Sequence, residues 1–151
     1  MNFVLDNYNK LKDTAEGKAQ FAQIVCQMAP YFASIHPEVV ELRPGYGSWR
    51  MAKARDVENH IGTVHAIAMC NLCEITAGLT IEVTLPETKR WIPKGMSVQY
   101  LKKAKTDLSA ECHIDVDDWD SVKDLPLSVD VKDTDGNVVM SAVITMQVGD
   151  K

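Results

Sequence analysis

The segment from Asn59 to Glu74 reads NHIGTVHAIAMCNLCE, a Gly-Thr turn followed by a run of apolar residues. Between positions 66 and 79 the apolar side chains occupy the whole circumference of a helix, which is typical of a helix buried on all sides. The segment therefore predicts one central apolar helix that begins near Val64. A thin polar stripe interrupts it, formed by Asn71, Glu74 and Gly78.

The residues before this helix predict two further kinds of element. The N-terminal third reads as helical, with apolar residues at helical spacing and a proline just past them: Phe21, Ile24, Val25, Met28 and Pro30. Residues 39–44 and 46–52 have strand-like composition and are separated by Pro44-Gly45, so they predict a β-hairpin.

The residues after the helix predict strands. Residues 79–85 alternate in polarity and predict a strand, and residues 86–93, which are rich in turn formers, predict a loop. Residues 96–101 and 108–116 predict two more strands. The clearest local signal is Asp135-Gly136 between the apolar runs 127–131 and 138–144, which predicts a tight hairpin.

This order of elements predicts an α+β fold, in which a curled antiparallel β-sheet wraps a central apolar helix. A chain of 151 residues can bury roughly two thirds of its unfolded surface. We therefore expect a single domain over residues 1–151, with residues 1–34 as a helical extension packed on the sheet.

Composition restricts the function classes. The net charge is −5 and only Lys102, Lys103 and Lys105 form a basic cluster, which argues against nucleic-acid binding. The first six residues lack the basic and apolar regions of a signal peptide, and no uncharged apolar run reaches the ~18 residues of a membrane span. We expect a cytoplasmic protein with no membrane partner.

Four cysteines lie in core-like segments of a chain long enough to fold without disulfides: Cys26, Cys70, Cys73 and Cys112. We expect reduced, buried thiols. The Cys70-x-x-Cys73 spacing is that of redox or zinc motifs, but it lies inside a helix and no second pair completes a tetrahedral site. No metal site is predicted.

Glu74 lies in the apolar helix with no Lys or Arg within one turn. Its carboxylate could be held by Asn71, by backbone amides or by Arg55. It could instead pair with a partner chain at a dimer interface. A third interpretation is a general base or nucleophile whose pKa is set by desolvation. The helix alone leaves the three open.

The turn before the helix favours the last two interpretations. Gly62-Thr63 supplies flexibility and a candidate N-cap hydroxyl, and leaves backbone N–H groups near His65 and Ala66 for a polarised carbonyl oxygen. Nine residues from His65 to Glu74 rise about 13 Å, so one copy cannot bring the two together. Two antiparallel copies about a two-fold axis can, which predicts a composite site and a dimer.

At these residues the sequence resembles the hotdog-fold thioesterases, most closely the PaaI-like branch. The family pattern is an Asn, a Gly-Thr pair, a His-Gly and an acidic residue. It is matched by Asn59, Gly62-Thr63, His65-Ala66 and Glu74. The order of elements agrees over residues 37–148.

The resemblance implies a role for each of these residues. The amide of Ala66 would polarise the thioester carbonyl, Asn59 would position water or the acyl group, and His65 would orient the turn. Glu74 of the other subunit would act as base or nucleophile. Gly62 and Thr63 would contact the substrate. Independently of the resemblance, Lys102, Lys103 and Lys105 follow a predicted strand and could meet the phosphates of coenzyme A or simply form a solvated strand end. The chemistry needs no metal and no cofactor besides the coenzyme A of the substrate.

The sequence thus predicts an acyl-coenzyme A thioesterase for a small or medium acyl group, as a homodimer or a dimer of dimers. Ala66-Ile67 stands where the family has Gly-Gly, which leaves a non-catalytic acyl-coenzyme A-binding protein as the alternative. A hotdog dehydratase is disfavoured because that branch has more residues between its His and its acid.

Overall fold

The fold is described from a computed structural model in which residues 2–151 are placed. The described residues form three α-helices: α1 (Phe3–Leu11), α2 (Ala15–Met28) and α3 (Ala66–Thr84). The same part of the chain forms six strands: β1 (Glu38–Arg43), β2 (Tyr46–Met51), β3 (Lys89–Tyr100), β4 (Leu108–His113), β5 (Asp124–Lys132) and β6 (Val138–Asp150). Short 3₁₀ helices lie at Pro30–Ile35, Arg55–Val57 and Trp119–Ser121.

The six strands form one antiparallel sheet in the order β1-β2-β4-β5-β6-β3, so β1 and β3 are its edges. The sheet curls around α3, whose Leu72, Cys73 and Ile75 are fully buried against it. Trp49 and Ile144 complete the same core from β2 and β6. The predicted architecture, a curled antiparallel sheet around a central apolar helix, is confirmed and is that of the hotdog fold.

The C-terminal half of α3 corrects one prediction. The strand predicted over residues 79–85 is wrong, because these residues continue α3 to Thr84. A buried threonine usually suggests a strand, but Thr80 donates its hydroxyl hydrogen to the carbonyl of Thr76 at 2.6 Å within the helix. The hydroxyl of Thr80 therefore has a hydrogen-bond partner inside an apolar core. The alternating pattern of residues 79–85 resembles that of a strand although the residues are helical.

The segment after α3 corrects a second prediction. Residues 86–93 were expected to form a loop, but β3 begins at Lys89. The strand accommodates Pro93 at an irregularity of register between Pro93 and Gly95, on the edge of the sheet, where a missing N–H is tolerated.

Gly78, which belongs to the expected polar stripe of α3, is needed for close packing of the helix against Trp91. An added Cβ there would lie 3.1 Å from the ring of Trp91.

The remaining local predictions are confirmed with adjusted ends. Pro44-Gly45 joins β1 to β2, and Asp135-Gly136 lies between β5 and β6. The helix predicted around residues 21–28 is the second half of α2, and the strand predicted over 108–116 ends at His113.

By length and composition alone α3 could cross a membrane, but 72% of its apolar window is buried inside the protein. This degree of burial is that of a core helix in a folded domain. One stripe of α3 remains uncovered near its N-terminus, and the candidate site lies there.

Candidate active site at the open face of the central helix

The turn before α3 is held together by the side chain of Asn59. Its Oδ1 accepts hydrogen bonds from the amides of Ile61 and Thr63, both at 3.1 Å, and its Nδ2 donates to Oγ1 of Thr63 at 2.7 Å. Gly62 has φ +76°, a left-handed conformation that glycine adopts without strain. Both ends of the Asn59 amide are thus engaged within the turn, and the direct contact with water or acyl group stays a prediction.

The turn is anchored at its exit to two other segments. The amide of His65 donates to the carbonyl of Val57, and the amide of Val64 donates to the carbonyl of Ala104, both at 2.8 Å. Ala104 lies inside the predicted basic cluster, so the hydrogen bond from Val64 brings that cluster to the turn. The side chains beside it are all exposed: Lys102, Lys103 and Lys105.

The cap of α3 differs from the expected one. The N-cap is His65, whose Nδ1 accepts a hydrogen bond from the amide of Ile67 at 3.0 Å, and the prediction of Thr63 as N-cap is wrong. Thr63 is buried and its hydroxyl accepts from Asn59 instead. Since Nδ1 of His65 is an acceptor, it carries no proton in this arrangement.

Two backbone N–H groups remain free at this helix end. Within residues 2–151 the amides of Ala66 and Ala68 have no hydrogen-bond partner. The amides in the first turn of a helix point outward along its axis and carry partial positive charge, which favours an anion or a polarised oxygen. The side chain of Ile67 is 53% exposed and points away from the core.

Glu74 is half-buried and makes no ion pair or hydrogen bond within the described chain. The first interpretation of this residue is wrong because its expected partners are engaged elsewhere. Asn71 donates to the carbonyl of Tyr31 at 3.2 Å and to Oγ of Ser34 at 3.0 Å, and Arg55 lies 3.8 Å from Glu58. Burial raises the pKa of the Glu74 carboxyl above its ordinary value.

One neighbour of this stripe was missed by the sequence reasoning. The hydroxyl of Tyr100, at the end of β3, lies 3.7 Å from Sγ of Cys70, one turn before Glu74 on α3. The contact with Cys70, followed by desolvation, raises the pKa of Tyr100. An aromatic residue two positions before the basic cluster, near the end of a predicted strand, is the sequence signal that could have indicated it.

The four thiols differ in burial. All four cysteines are free; Cys73 and Cys112 are buried as expected, whereas Cys26 and Cys70 are only half-buried. Burial raises the pKa of Cys73, which makes it a poor nucleophile. Among residues 2–151 no three His, Cys, Asp or Glu side chains are grouped as a metal site requires.

A single protomer assembles only part of the predicted site. It brings together the turn, the free amide of Ala66 and the lysines. Glu74 is eight residues further along α3, about 12 Å from that amide at the rise of an α-helix. The side chain of Glu74 is too short to span this separation and act on an atom bound at the amide of Ala66.

Comparison with known proteins gives a family and a fold. The family described as a domain of unknown function, DUF4442, matches residues 17–148. The solved structure of the genomics target APC5556 is 42% identical, with a TM-score of 0.87, covering 98% of this chain and 98% of that one. No curated protein matches this chain.

Two more distant structures carry functional descriptions. A protein of unknown function from Pseudomonas aeruginosa, described as a probable thioesterase, is 22% identical with a TM-score of 0.79, covering 86% of this chain and 93% of that one. A hypothetical thioesterase from Streptococcus pneumoniae, solved with coenzyme A, is 20% identical with a TM-score of 0.65, covering 76% and 90%. At this identity both show a shared fold.

Proposed function

The chain belongs to the DUF4442 family and has the hotdog fold, and on that premise we propose that it is a thioesterase acting on small or medium acyl-coenzyme A esters. The site is composite: the turn and the Ala66 amide come from one protomer and Glu74 from its partner. Assembly as a homodimer or dimer of dimers, a cytoplasmic location and kinship with the PaaI-like branch belong to the same proposal.

Hydrolysis of a thioester requires few catalytic groups. Water adds to the thioester carbonyl, negative charge develops on the carbonyl oxygen, and the C–S bond breaks to release coenzyme A thiolate and a carboxylic acid. The free amide of Ala66 at the start of α3 is suited to that oxygen, an arrangement that typically contributes about 10²–10³ in rate. A thiolate leaves without much protonation, so no strong acid is needed.

Glu74 supplies the base. An ionised carboxylate in a partly desolvated setting takes the proton from the attacking water; alternatively, it attacks the carbonyl itself and the resulting anhydride is hydrolysed. Both routes need the carboxylate within about 3 Å of the reacting atom, which only a second copy of α3 can provide. His65 acts indirectly in this scheme, because its Nδ1 fixes the amide of Ile67 and thereby the start of the helix.

The lysines suit the coenzyme A part of the substrate. Lys102, Lys103 and Lys105 are exposed on the segment that binds the turn through Ala104, and ammonium groups are suited to phosphates. The Streptococcus pneumoniae neighbour was solved with coenzyme A, which supports a ligand of this class. The scheme uses no cofactor beyond the coenzyme A of the substrate.

The proposal rests on Glu74, a half-buried carboxylate that has no hydrogen-bond or ion-pair partner among residues 2–151. It lies on the same open stripe as a helix start with free amides. A structural carboxylate in such a place would be satisfied by neighbours.

The test is hydrolysis of a panel of acyl-coenzyme A esters by the wild type and by Glu74→Ala. We expect Glu74→Ala to lose activity by about 10²–10⁴-fold while the dimer persists in analytical ultracentrifugation. Released coenzyme A is separated by chromatography, so that the half-buried thiols of Cys26 and Cys70 cannot contribute to the signal. The matched control is Glu16→Ala, which removes an exposed carboxylate on α2. Unchanged turnover by Glu74→Ala would refute the assignment.

A non-catalytic acyl-coenzyme A-binding protein is the second candidate. It is favoured by Ala66-Ile67 in place of Gly-Gly, because the exposed Ile67 adds bulk where a thioester approaches the helix start. Tight binding across the panel without release of coenzyme A would select this function. Ala66→Gly would then not create turnover on its own.

A further inference from the structure

The side of α3 that carries Glu74 is bordered by the inner face of β3, and the two elements touch at two points. At one point the hydroxyl of Tyr100 lies 3.7 Å from Sγ of Cys70. At the other the six-membered ring of Trp91 lies so close to Gly78 that an added Cβ there would be 3.1 Å from it. Between these contacts α3 and β3 border a trough. Glu74 stands midway along it, four residues from Cys70 and four from Gly78.

The residues of β3 between the two contacts give the trough an apolar wall. Met96 and Val98 pair with Ile144 and Ala142 of β6, whose side chains are buried in the core, so all four lie on the inner face of the sheet. Met96 is nevertheless 41% exposed, and Val98 is only partly buried. An apolar wall beside a carboxylate is suited to the hydrocarbon part of an acyl group.

Trp91 is held firmly at its end of the trough. Its Nε1 donates to Oε2 of Glu82 at 2.6 Å, and the carbonyl of Glu82 accepts a hydrogen bond from Nδ2 of Asn2 at 2.7 Å. The close contact with Gly78 fixes the ring against the helix. Because its only polar atom is engaged with Glu82, the remainder of the half-buried ring offers carbon atoms alone to a ligand. Tyr100, at the other end, carries a hydroxyl.

We propose that Trp91 sets the upper limit on acyl length, with the acyl carbonyl beside Glu74 and the methyl end of the chain against the Trp91 ring. The inference rests on the proposed function and narrows its substrate class to short-chain acyl-coenzyme A esters. The four residues from Glu74 to Gly78 rise about 6 Å, which leaves room for about four carbons of an extended chain. A longer chain has to displace a ring that Glu82 and Gly78 hold in place.

The experiment compares kcat/KM for butyryl- and octanoyl-coenzyme A in wild type and in Trp91→Leu. Wild type should prefer the butyryl ester. We expect Trp91→Leu to raise the octanoyl-to-butyryl ratio at least about tenfold, since a single methylene group in an apolar pocket already changes kcat/KM by about 10–200-fold. If Trp91 only stabilised the fold, its replacement would lower both values and leave their ratio unchanged.

Three further variants control for loss of packing. Phe21→Leu removes an aromatic ring that is buried between Tyr8 and Trp49, outside the trough, and should leave the ratio unchanged. Trp91→Phe keeps an aromatic ring at the site and should shift the ratio in the same direction as Trp91→Leu but by less. Tyr100→Leu tests the other end and should shift it less than Trp91→Leu does. Circular dichroism verifies that each variant folds.

The outcomes separate this inference from the proposed function. Equal ratios in wild type and the Trp91 variants, a wild type that hydrolyses octanoyl-coenzyme A as fast as the butyryl ester, or a larger shift in Tyr100→Leu overturns the inference and leaves the thioesterase intact. If wild type releases no coenzyme A, the proposed function fails, and calorimetric affinities for the same two esters replace turnover. A butyryl preference that Trp91→Leu abolishes then supports the role of Trp91, whereas equal affinities or no binding overturn it.

Discussion

The two halves of α3 form one continuous helix but differ in how far they are buried. In the C-terminal half, residues 75–84, every residue except Glu82 and Thr84 is buried. In the N-terminal half, residues 66–74, burial alternates with an open stripe that contains Ile67, Cys70 and Glu74. A helix wrapped by a sheet could be covered along its whole length, and this one is not.

The polar groups show the same contrast. In the buried half Thr76 and Thr80 donate to the carbonyls one turn earlier, at 2.7 and 2.6 Å, so no hydroxyl is left without a partner. In the open half the carboxylate of Glu74 and the amides of Ala66 and Ala68 have no partner within the described chain. On α3 the polar groups without a partner are therefore concentrated at the open end, which indicates a site rather than poor packing of the helix.

The largest expected effect comes from matched isoleucines on the two halves. Ile75 is fully buried and Ile67 is 53% exposed. Ile75→Ala should lower the free energy of unfolding by about 2–5 kcal/mol, because it leaves a cavity in the core. Ile67→Ala should lower it by less than about 0.5 kcal/mol. Urea unfolding at matched protein concentration measures both, and equal losses would remove the distinction between the halves.

The next effect isolates one backbone group in the open half. Ala66 is the first residue of α3, where proline is tolerated, and His65 has the extended backbone that a following proline requires. Ala66→Pro therefore removes a single N–H and should lower turnover by about 10²–10³-fold with the fold retained.

Ala66→Gly is the control for that variant, since it keeps the amide and removes only the side-chain methyl group. We expect it to keep wild-type turnover or exceed it. If Ala66→Pro hydrolyses the substrate as fast as Ala66→Gly does, the amide of residue 66 does not polarise the carbonyl.

The smallest effect concerns pH. Burial raises the pKa of Glu74, so turnover should increase with pH through that raised pKa, above the range of an ordinary carboxyl. The folded chain favours the protonated carboxyl. Its contribution to stability is therefore largest at low pH and falls as pH rises from the ordinary Glu pKa through the raised one.

Glu74→Gln removes the free-energy cost of keeping an ionised carboxylate in a partly buried position. We expect it to be inactive but more stable than wild type at neutral pH, by on the order of 0.5 kcal/mol because the group is partly exposed and screened. The two proteins should have equal stability at low pH. Urea unfolding as a function of pH checks the sign, and a variant less stable than wild type at neutral pH would contradict it.

The sequence was informative where a local pattern has one structural meaning. Asp135-Gly136 and Pro44-Gly45 predicted hairpins that the fold contains, and the apolar run of α3 predicted a buried helix. It misled at residues 79–85, because Thr80 and Thr84 look like strand residues until their hydroxyls are seen to donate within the helix.

At the site, residue types were readable but their partners were not. The Asn59 to Glu74 pattern located the turn and the carboxylate. No local signal showed that both polar atoms of the Asn59 side chain hydrogen-bond within the turn. Nor did any show that His65 rather than Thr63 caps the helix. The contact of Tyr100 with Cys70 joins residues thirty positions apart, and such contacts follow from the curl of the sheet.

The central claim is that each site uses Glu74 of one protomer and Ala66 of the other, and mixing two inactive variants tests it. Glu74→Ala and Ala66→Pro homodimers each have a lesion in both sites. After unfolding together and refolding in equal amounts, half of the dimers are mixed and each contains one intact site, so about a quarter of wild-type turnover should return. If the mixture stays as inactive as the separate variants while mixed dimers are present, the carboxylate and the amide do not act across the interface.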